Sequence, residues 1–532
     1  MSAGLHRRQW LQAAAALSLP VAAQEGAPAP PARWLGGPSE RGHRLRETKS
    51  GRWPGVAQNH RAQVLVIGAG VAGLAAARAL VRLGVDDVQV LELDDEAGGN
   101  SRGHRLRGLD CPLGAHYLPV PGDAAREVRG LLEDYGLVRH SLGRWVYDER
   151  HLCHSPQERL FFDGAWHDGL LPPAAPGSTT LAQYRRFAAA VERLRRTPGF
   201  AIPTAAVSWT VAHAALDGLS FAAWLDREQL DDPHLRWYLD YCCRDDYGAD
   251  AATVSAWAGL HYFASRHGFQ APGDEADERA PVLTWPEGNA WLTRRLRADL
   301  GERLHTACMA LRIRPQRHGV EVLAWDAQRH ALQRWQAARV VLAVPLMVAV
   351  RLLDAPPVAL VQAARQTQYA PWMVANVHVE RPLLERVGVP RAWDNVVYGS
   401  ASLGYVDAGH QHLDPTPGST VLSVYWALPV AERAALLAAP ASAWAGRVLT
   451  ELAPMHPDLP RKASEVVLTR YGHAMAVPTP GTRGQPARAA LRTGQGRLHF
   501  AHADLSGYSV FEEAYTLGLA AARQCWQAGR RR

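Results

Sequence analysis

Residues 63–93 read QVLVIGAGVAGLAAARALVRLGVDDVQVLEL. Val64 to Ile67 form a short apolar run, the pattern of a strand buried on both faces. It leads directly into Gly68-Ala69-Gly70-Val71-Ala72-Gly73, and an alanine-rich segment of helical character continues from Leu74 to Leu83. Each glycine answers a steric demand. Gly68 permits the tight turn, Gly70 lets the backbone approach a pyrophosphate, and Gly73 lets the helix pack close to the strand. The first amides of the helix, at the positive end of its dipole, then face the phosphates. A second apolar run, Val88 to Leu91, ends in Glu92, about twenty residues past the glycines, where a carboxylate can accept from ribose hydroxyls. A bare glycine triplet is a weak sign. Strand, glycines, helix, strand and acid in this order define a dinucleotide site.

At 532 residues the chain has room for two or more domains. A hydrophobic fraction of 47% and a charged fraction of 20% are those of a globular protein. Net charge is +7, from 58 basic and 51 acidic side chains, spread along the chain without a long basic block, which argues against a nucleic-acid partner. The basic residues are nearly all arginine; Lys49 and Lys462 are the two lysines. Six cysteines, Cys111, Cys153, Cys242, Cys243, Cys308 and Cys525, show no metal-ligand spacing and are expected as buried thiols, with one bridge left open for an exported protein.

Residues 1–23 resemble a twin-arginine export signal. Arg7-Arg8 precede a short apolar segment with the small-residue end Val21-Ala22-Ala23, too short and alanine-rich to span a bilayer. That route carries folded proteins, so the mature chain is expected in the periplasm, without a transmembrane helix. Residues 24–60, rich in Pro, Gly and Arg, read as a surface arm.

Past Glu92 come Ala97-Gly98-Gly99-Asn100-Ser101-Arg102 and Leu113-Gly114-Ala115-His116-Tyr117. This linked order resembles the flavin-containing amine oxidase superfamily, which includes amine and amino-acid oxidases, protoporphyrinogen oxidase and carotenoid desaturases. The resemblance implies FAD as cofactor, with Gly98, Gly99, Arg102, Gly114 and Ala115 beside it. It implies an α/β fold in which a Rossmann-like FAD-binding domain with a parallel sheet carries an inserted, mixed α+β substrate domain. On that reading the FAD-binding domain takes residues 61–120, 276–345 and 466–532, and the substrate domain takes 121–275 and 346–465. Candidate helices at 181–194 and 235–247, a hairpin at 319–323 and 331–335, and strands at 374–379, 396–398 and 420–426 fill in these parts. In 121–275, Arg244-Asp245-Asp246-Tyr247 stands out chemically, although most such charges are solvated or locally paired.

Arg497-Leu498-His499-Phe500-Ala501-His502-Ala503-Asp504 reads as a strand running into a turn, before Ser506-Gly507-Tyr508-Ser509 and a helix at 510–527. It resembles the closing motif of the superfamily, which implies that Asp504 and Ser509 serve the cofactor and that the helix aims its N-terminus at the flavin. A helix N-terminus there would stabilise the negative charge of reduced flavin. The chain departs from the superfamily pattern at Asn289, where a second glycine is usual, and at His502, also a glycine position.

In many amine oxidases of the superfamily a lysine sits beside flavin N5, yet no lysine lies between Lys49 and Lys462, and Arg351 could substitute only as a fixed charge. The expected function is therefore oxidation of a C–N or C–C bond of a small substrate by hydride transfer to FAD. A dehydrogenase using a quinone or redox-protein acceptor is favoured over an oxygen-using oxidase. The alternative is a flavin-binding partner or assembly protein without turnover. Histidine suits acid–base work at neutral pH, with His116, His473 and His502 as candidates and His502 first by position. Tyr471 and Tyr508 could wall the substrate.

Overall fold

Two sheets carry the fold, and the chain crosses between them repeatedly. The computed structural model describes residues 29–36, 39–44, 53–196, 199–266, 268–274, 281–386, 388–412, 416 and 418–530. The export segment 1–23 and Lys49 lie outside them. The described part of the expected surface arm is more ordered than its composition suggests. It supplies β1 (Ala32–Leu35), paired parallel with residues 466–469, and the first half of β2 (Val56–Ile67).

β2 feeds α1 (Val71–Arg82) through the glycine turn, and β3 (Val88–Leu91) runs parallel to β2, Val64 opposite Val88. Next come the hairpin β4 (Gly103–Leu106) and β5 (Leu109–Pro112), the short β6 (Tyr117–Pro119) and α2 (Arg126–Asp134). Two further hairpins follow, β7 (Val138–Ser141) with β8 (Arg144–Tyr147), and β9 (Glu158–Phe162) with β10 (Ala165–Asp168). The helical section contains α3 (Thr179–Arg196), α4 (Pro233–Tyr247) and α5 (Ala256–Ala264). Asp232 caps α4 through the amides of His234 and Leu235, and Pro233 at the first turn needs no donor there.

β11 (Val282–Thr284) returns to pair with β6, and α6 (Ala290–Ala298) follows. β12 (Leu304–His305) extends the first sheet beside β3. The hairpin expected at 319–335 is part of a longer meander of β13 (Cys308–Gln316), β14 (Gly319–Asp326) and β15 (Ala331–Leu342). β15 continues past the meander as the buried central strand beside β2, Val340 opposite Leu65. After α7 (Leu346–Leu352), the strands β16 (Gln368–Val379), β17 (Asp394–Val397), β18 (Tyr405–Asp407), β19 (Thr420–Ala427) and β20 (Ala463–Val477) build the second sheet. Its order is β1-β20-β16-β19-β18-β17-β9-β10. Residues 466–477, expected with the first sheet, therefore belong to the second. One face packs on α3, α4 and α5, the other on α8 (Ala441–Leu452). The chain closes with β21 (Leu498–Phe500), parallel to β15, and α9 (Phe511–Arg530).

α9 lies on α1, and a small residue lets it do so. A Cβ on Gly518 would sit 2.3 Å from the Ala72 carbonyl oxygen and 2.9 Å from the Ala75 Cβ. Gly518→Val should force the helices apart and destabilise the protein by about 1–3 kcal/mol or more. A melting temperature equal to the wild type would contradict this packing.

Candidate active site

The glycine turn bears out its steric reading at two positions. Gly68 has φ +96°, and a Cβ there would lie 2.5 Å from the Ala343 carbonyl oxygen; a Cβ on Gly73 would lie 1.8 Å from the Gly68 oxygen. Gly70 differs: a Cβ would meet only the Gly99 Cα, at 3.9 Å. α1 starts at Gly70 with no side-chain cap and no acidic residue in its first turn, so its positive end is free for an anion. Gly98 lies beside Gly70 in a β-bridge, its amide donating to the Ala69 carbonyl. Glu92, at the end of β3, accepts from the amides of Ala69 (2.6 Å) and Asp94 (2.9 Å). Burial raises its pKa, partly offset by those amides. The open space before Gly70, the uncapped helix end and the carboxylate on the same turn fit a ribose-bearing pyrophosphate.

Arg102 closes the next turn, donating to the Gly99 carbonyl (3.0 Å) and pairing with Asp94 (3.0 Å). Gly114 is needed for close approach, since a Cβ would lie 2.1 Å from the Asn100 oxygen, to which Ala115 also donates. β20 then binds these loops to the closing motif. The Tyr471 hydroxyl donates to the Leu113 carbonyl (2.8 Å), the Asn100 amide to the Ala474 carbonyl (2.7 Å) and the Ala476 amide to the Ser509 hydroxyl (3.1 Å). Tyr471 and Ser509 are thus brought to the Gly98–Arg102 and Gly114–Ala115 loops. His473, on the same strand, lies edge-on to Tyr369 at 6.0 Å.

Asp504 also has a structural task. Its side chain is 1% exposed, and Oδ2 accepts from the Leu346 amide (3.0 Å) and the Tyr369 hydroxyl (2.5 Å), joining the closing turn to α7 and β16. Arg488, buried beside it, donates to the Asp504 carbonyl oxygen and the Thr367 hydroxyl. Burial raises the Asp504 pKa, but His502, Tyr369 and Leu346 outweigh it and hold the group below its ordinary value. His502 Nδ1 lies 3.2 Å from the Asp504 amide, whose hydrogen the neutral ring accepts, and 3.1 Å from Oδ1, to which a protonated ring donates. With 26% of its side chain exposed, His502 caps this turn and keeps one nitrogen for other work.

Two expectations are corrected, those for Arg351 and Tyr508. Arg351 is exposed on α7 and cannot replace an interior lysine. Lys462 is held by Asp458 and the Pro382 carbonyl, both at 2.6 Å. Tyr508 is fully buried, donating to Glu513, so it walls no substrate. The first turn of α9 carries two buried acids: Glu513 accepts from the Thr204 amide, Ser506 and Tyr508, and Glu512 lies near Arg266.

The interior between the second sheet and the Gly114 loop holds an acidic, aromatic chamber. His116 stacks on Tyr425 (4.3 Å) and faces Trp393 (5.4 Å), and Tyr117 meets Trp393 edge-on at 5.9 Å. Asp394 on β17 and Glu158 on β9 are direct neighbours across parallel strands. Asp246 is paired with Arg266 at 2.9 Å, but Asp245 is bound by the Tyr117 hydroxyl. Burial and Asp246 push Asp245 up to about 7, against Arg266, Arg244 and Tyr117. Burial raises Asp394 further, with Asp245 and Glu158 adding to it; among the described residues no basic group shifts it. Burial pushes His116 down to about 3, leaving a neutral ring. Asp245, Asp394, Glu158, His116 and Tyr117 all keep some accessible surface despite this depth. Asp394, Glu158 and Trp393 escaped the sequence reading because strand pairing alone brings them together.

A nucleotide cradle on one sheet and a polar chamber on the other define an FAD-dependent oxidoreductase. The chain belongs to the flavin containing amine oxidoreductase family, whose model matches residues 71–525; a shorter match, to the C-terminal domain of alanine dehydrogenase/PNT, covers 39–102. The putative flavin-containing monoamine oxidase AofH of Mycobacterium tuberculosis is 28% identical over 298 residues, 55% of this chain and 59% of AofH. Putrescine oxidase of Kocuria rosea is 32% identical over 177 residues, 32% of each chain, and rice polyamine oxidase 7 is 30% identical over 109 residues, 18% of this chain and 22% of the rice protein. The match thus spans less than two thirds of these curated relatives. Among solved structures, putrescine oxidase bound to putrescine aligns with TM-score 0.67 at 20% identity, over 88% of this chain and all of that one. Cyclohexylamine oxidase from Brevibacterium oxydans gives 0.66 at 20%, with the same coverage, and a fatty acid isomerase from P. acnes 0.60 at 16%, over 86% and 97%.

Gly70→Val should yield a folded protein without bound FAD, because the side chain has room but fills the cradle. Full flavin absorbance in the purified variant would refute the placement.

Proposed function

We propose that the chain oxidises an amine, drawn as its ammonium ion into the chamber of Asp245, Asp394 and Glu158, with FAD as electron acceptor. The observation that carries this reading is Asp394, a buried carboxylate to which the described residues supply no cation. A buried charge left unpaired is costly, and a substrate ammonium would complete it. The rings of Tyr117, Tyr425 and Trp393 add a cation-attracting wall. FAD held in the Gly70 cradle would supply the two-electron acceptor for the hydrogen lost from the substrate carbon. The amine must first lose its ammonium proton, and Asp245, titrating at about 7, is the chamber group suited to take it. Neutral His116 can orient the amine by a hydrogen bond without competing for the cation. A neutral substrate oxidised at a C–C bond would gain nothing from three carboxylates.

Asp394→Asn should raise KM for amines roughly tenfold or more while FAD content is retained, since a charged partner is worth about 1.5–3 kcal/mol. An unchanged KM in steady-state kinetics would remove the ammonium reading. The pH dependence has a definite sign. Asp245 binds its proton more tightly folded than unfolded, so its contribution to stability is present in acid and is lost as pH rises through about 7. Amine binding should improve over the same interval and release protons, which calorimetry in buffers of different ionisation heat would measure.

The lysine-free stretch from Lys49 to Lys462 supports a dehydrogenase, with a quinone or redox protein rather than oxygen taking the electrons. Protein reduced anaerobically and mixed with aerated buffer should reoxidise slowly; reoxidation at oxidase rates would restore the oxygen-using reading. Flavin that binds but that no amine can reduce would favour a partner without turnover. Export to the periplasm rests on Arg7-Arg8. Changing both to Lys should hold the protein in the cytoplasm, and normal periplasmic recovery would exclude the twin-arginine route.

A further inference from the structure

Three hairpins of this chain are closed by two-residue turns of the form X-Gly: Arg107-Gly108, Leu142-Gly143 and Asp163-Gly164. In each the first residue has a left-handed φ, +51°, +50° and +47°, followed by a glycine that also has positive φ. Such turns favour Asn, Asp or Gly at the first position, because a side chain there is strained unless it is small and polar. Asp163 follows that preference, and Arg107 at least places a charge in solvent. Leu142 does neither. It is strained by its backbone and 95% exposed, the most exposed large apolar residue among those described.

The rest of the tip explains what Leu142 is for. Trp145, 37% exposed, is held edge-on by His140 (4.9 Å) and covered by the Arg129 guanidinium (4.8 Å), so it projects as a fixed ring. Arg139, His140 and Arg144 are exposed around it, and residues 138–147 contain no acid. At the foot of the hairpin, Asp134 is paired with Arg78 and Arg82, and Asp148 with Arg150, leaving Glu133 and Glu149 as open carboxylates. Just before β7, Tyr135 meets Trp291 at 6.2 Å, and the exposed Arg295 lies 3.2 Å over that indole. We propose that the β7–β8 tip docks on an anionic lipid surface, with Leu142 and Trp145 entering the headgroup layer and Arg139 and Arg144 on lipid phosphates.

Two apolar side chains at a point are too little for a protein interface, which needs on the order of 1,200 Å². Leucine, tryptophan and arginine together suit the membrane interface, where an indole sits at headgroup depth and arginines meet phosphate. No helix among the described residues is long and apolar enough to cross a membrane, so attachment at this tip would be superficial and reversible.

The test is flotation of the full-length, FAD-loaded protein with phosphatidylcholine vesicles and with vesicles containing phosphatidylglycerol. The wild type should float with the anionic vesicles only, less as salt rises. Leu142→Asn should lower the bound fraction roughly tenfold while its melting temperature holds or rises, because asparagine suits the left-handed turn. Trp145→Gln, and Arg139→Gln with Arg144→Gln, should each weaken binding, the last pair also flattening the salt dependence. Wild-type protein that floats with neither vesicle, or an L142N variant that floats like the wild type, would overturn the proposal. Self-association that depends on Leu142 in lipid-free sedimentation would instead assign the tip to a second copy of the chain.

Discussion

Backbone meets backbone at the start of α1, and the nucleotide cradle depends on how closely it can do so. Gly73 sits against the Gly68 carbonyl, Gly68 against Ala343, and Gly518 of α9 against Ala72, each at a distance no Cβ could share. Dispersion and burial then hold α1 between β2 and α9, with Leu74, Ala75, Ala76 and Leu80 fully enclosed. Only because three glycines carry the tight contacts can the remaining one, Gly70, face open space at an uncapped helix end. Binding capacity here is a by-product of packing at its neighbours.

The second constraint is electrostatic. Asp504 is a charge deep in the protein, and its cost is offset by hydrogen bonds from the Leu346 amide and the Tyr369 hydroxyl and by the adjacent His502, while Arg488 donates to its backbone carbonyl oxygen. Because the two donors to the carboxylate lie on α7 and on β16, it ties the first sheet to the second. β20 makes the same connection from the other side, through Tyr471, Ala474 and Ala476. The two sheets are therefore registered by polar contacts at the site as well as by apolar cores. A small change in one is felt in the other.

How much of this was legible in the sequence follows from what each signal depends on. The glycine turn, Glu92 and the parallel strands were readable because their constraints are local: a positive φ, a close approach and an apolar run. The helices α3 and α4 and the strands β16, β17 and β19 were readable from periodicity to within a few residues. β1 was not, since its four residues earn strand geometry only from the edge of β20, so a Pro- and Arg-rich arm looked irregular. β20 was split across the expected boundary because a strand paired only in the second sheet also carries side-chain and backbone contacts to the loops of the first. The internal contacts of Asp504 were not legible for a similar reason: nothing near it in sequence announces Tyr369 or Arg488.

The acidic chamber shows the same lesson at the level of chemistry. Asp245 beside Asp246 reads as one of many charge pairs, yet the fold gives one of them Arg266 and leaves the other with a tyrosine. Asp394 and Glu158 become neighbours only through β17–β9 pairing, more than two hundred residues apart in the chain. Asp245 and Asp394, buried this way, oppose folding at neutral pH, since each must be desolvated or protonated. A protein loses little by replacing such groups with amides when they do no work. The same free energy that opposes folding becomes available to a cation that enters, because its charge lowers the carboxylate pKa values again. Instability of the empty chamber and affinity for an ammonium ion are thus two readings of one electrostatic cost, and the aromatic walls deepen both by keeping water away.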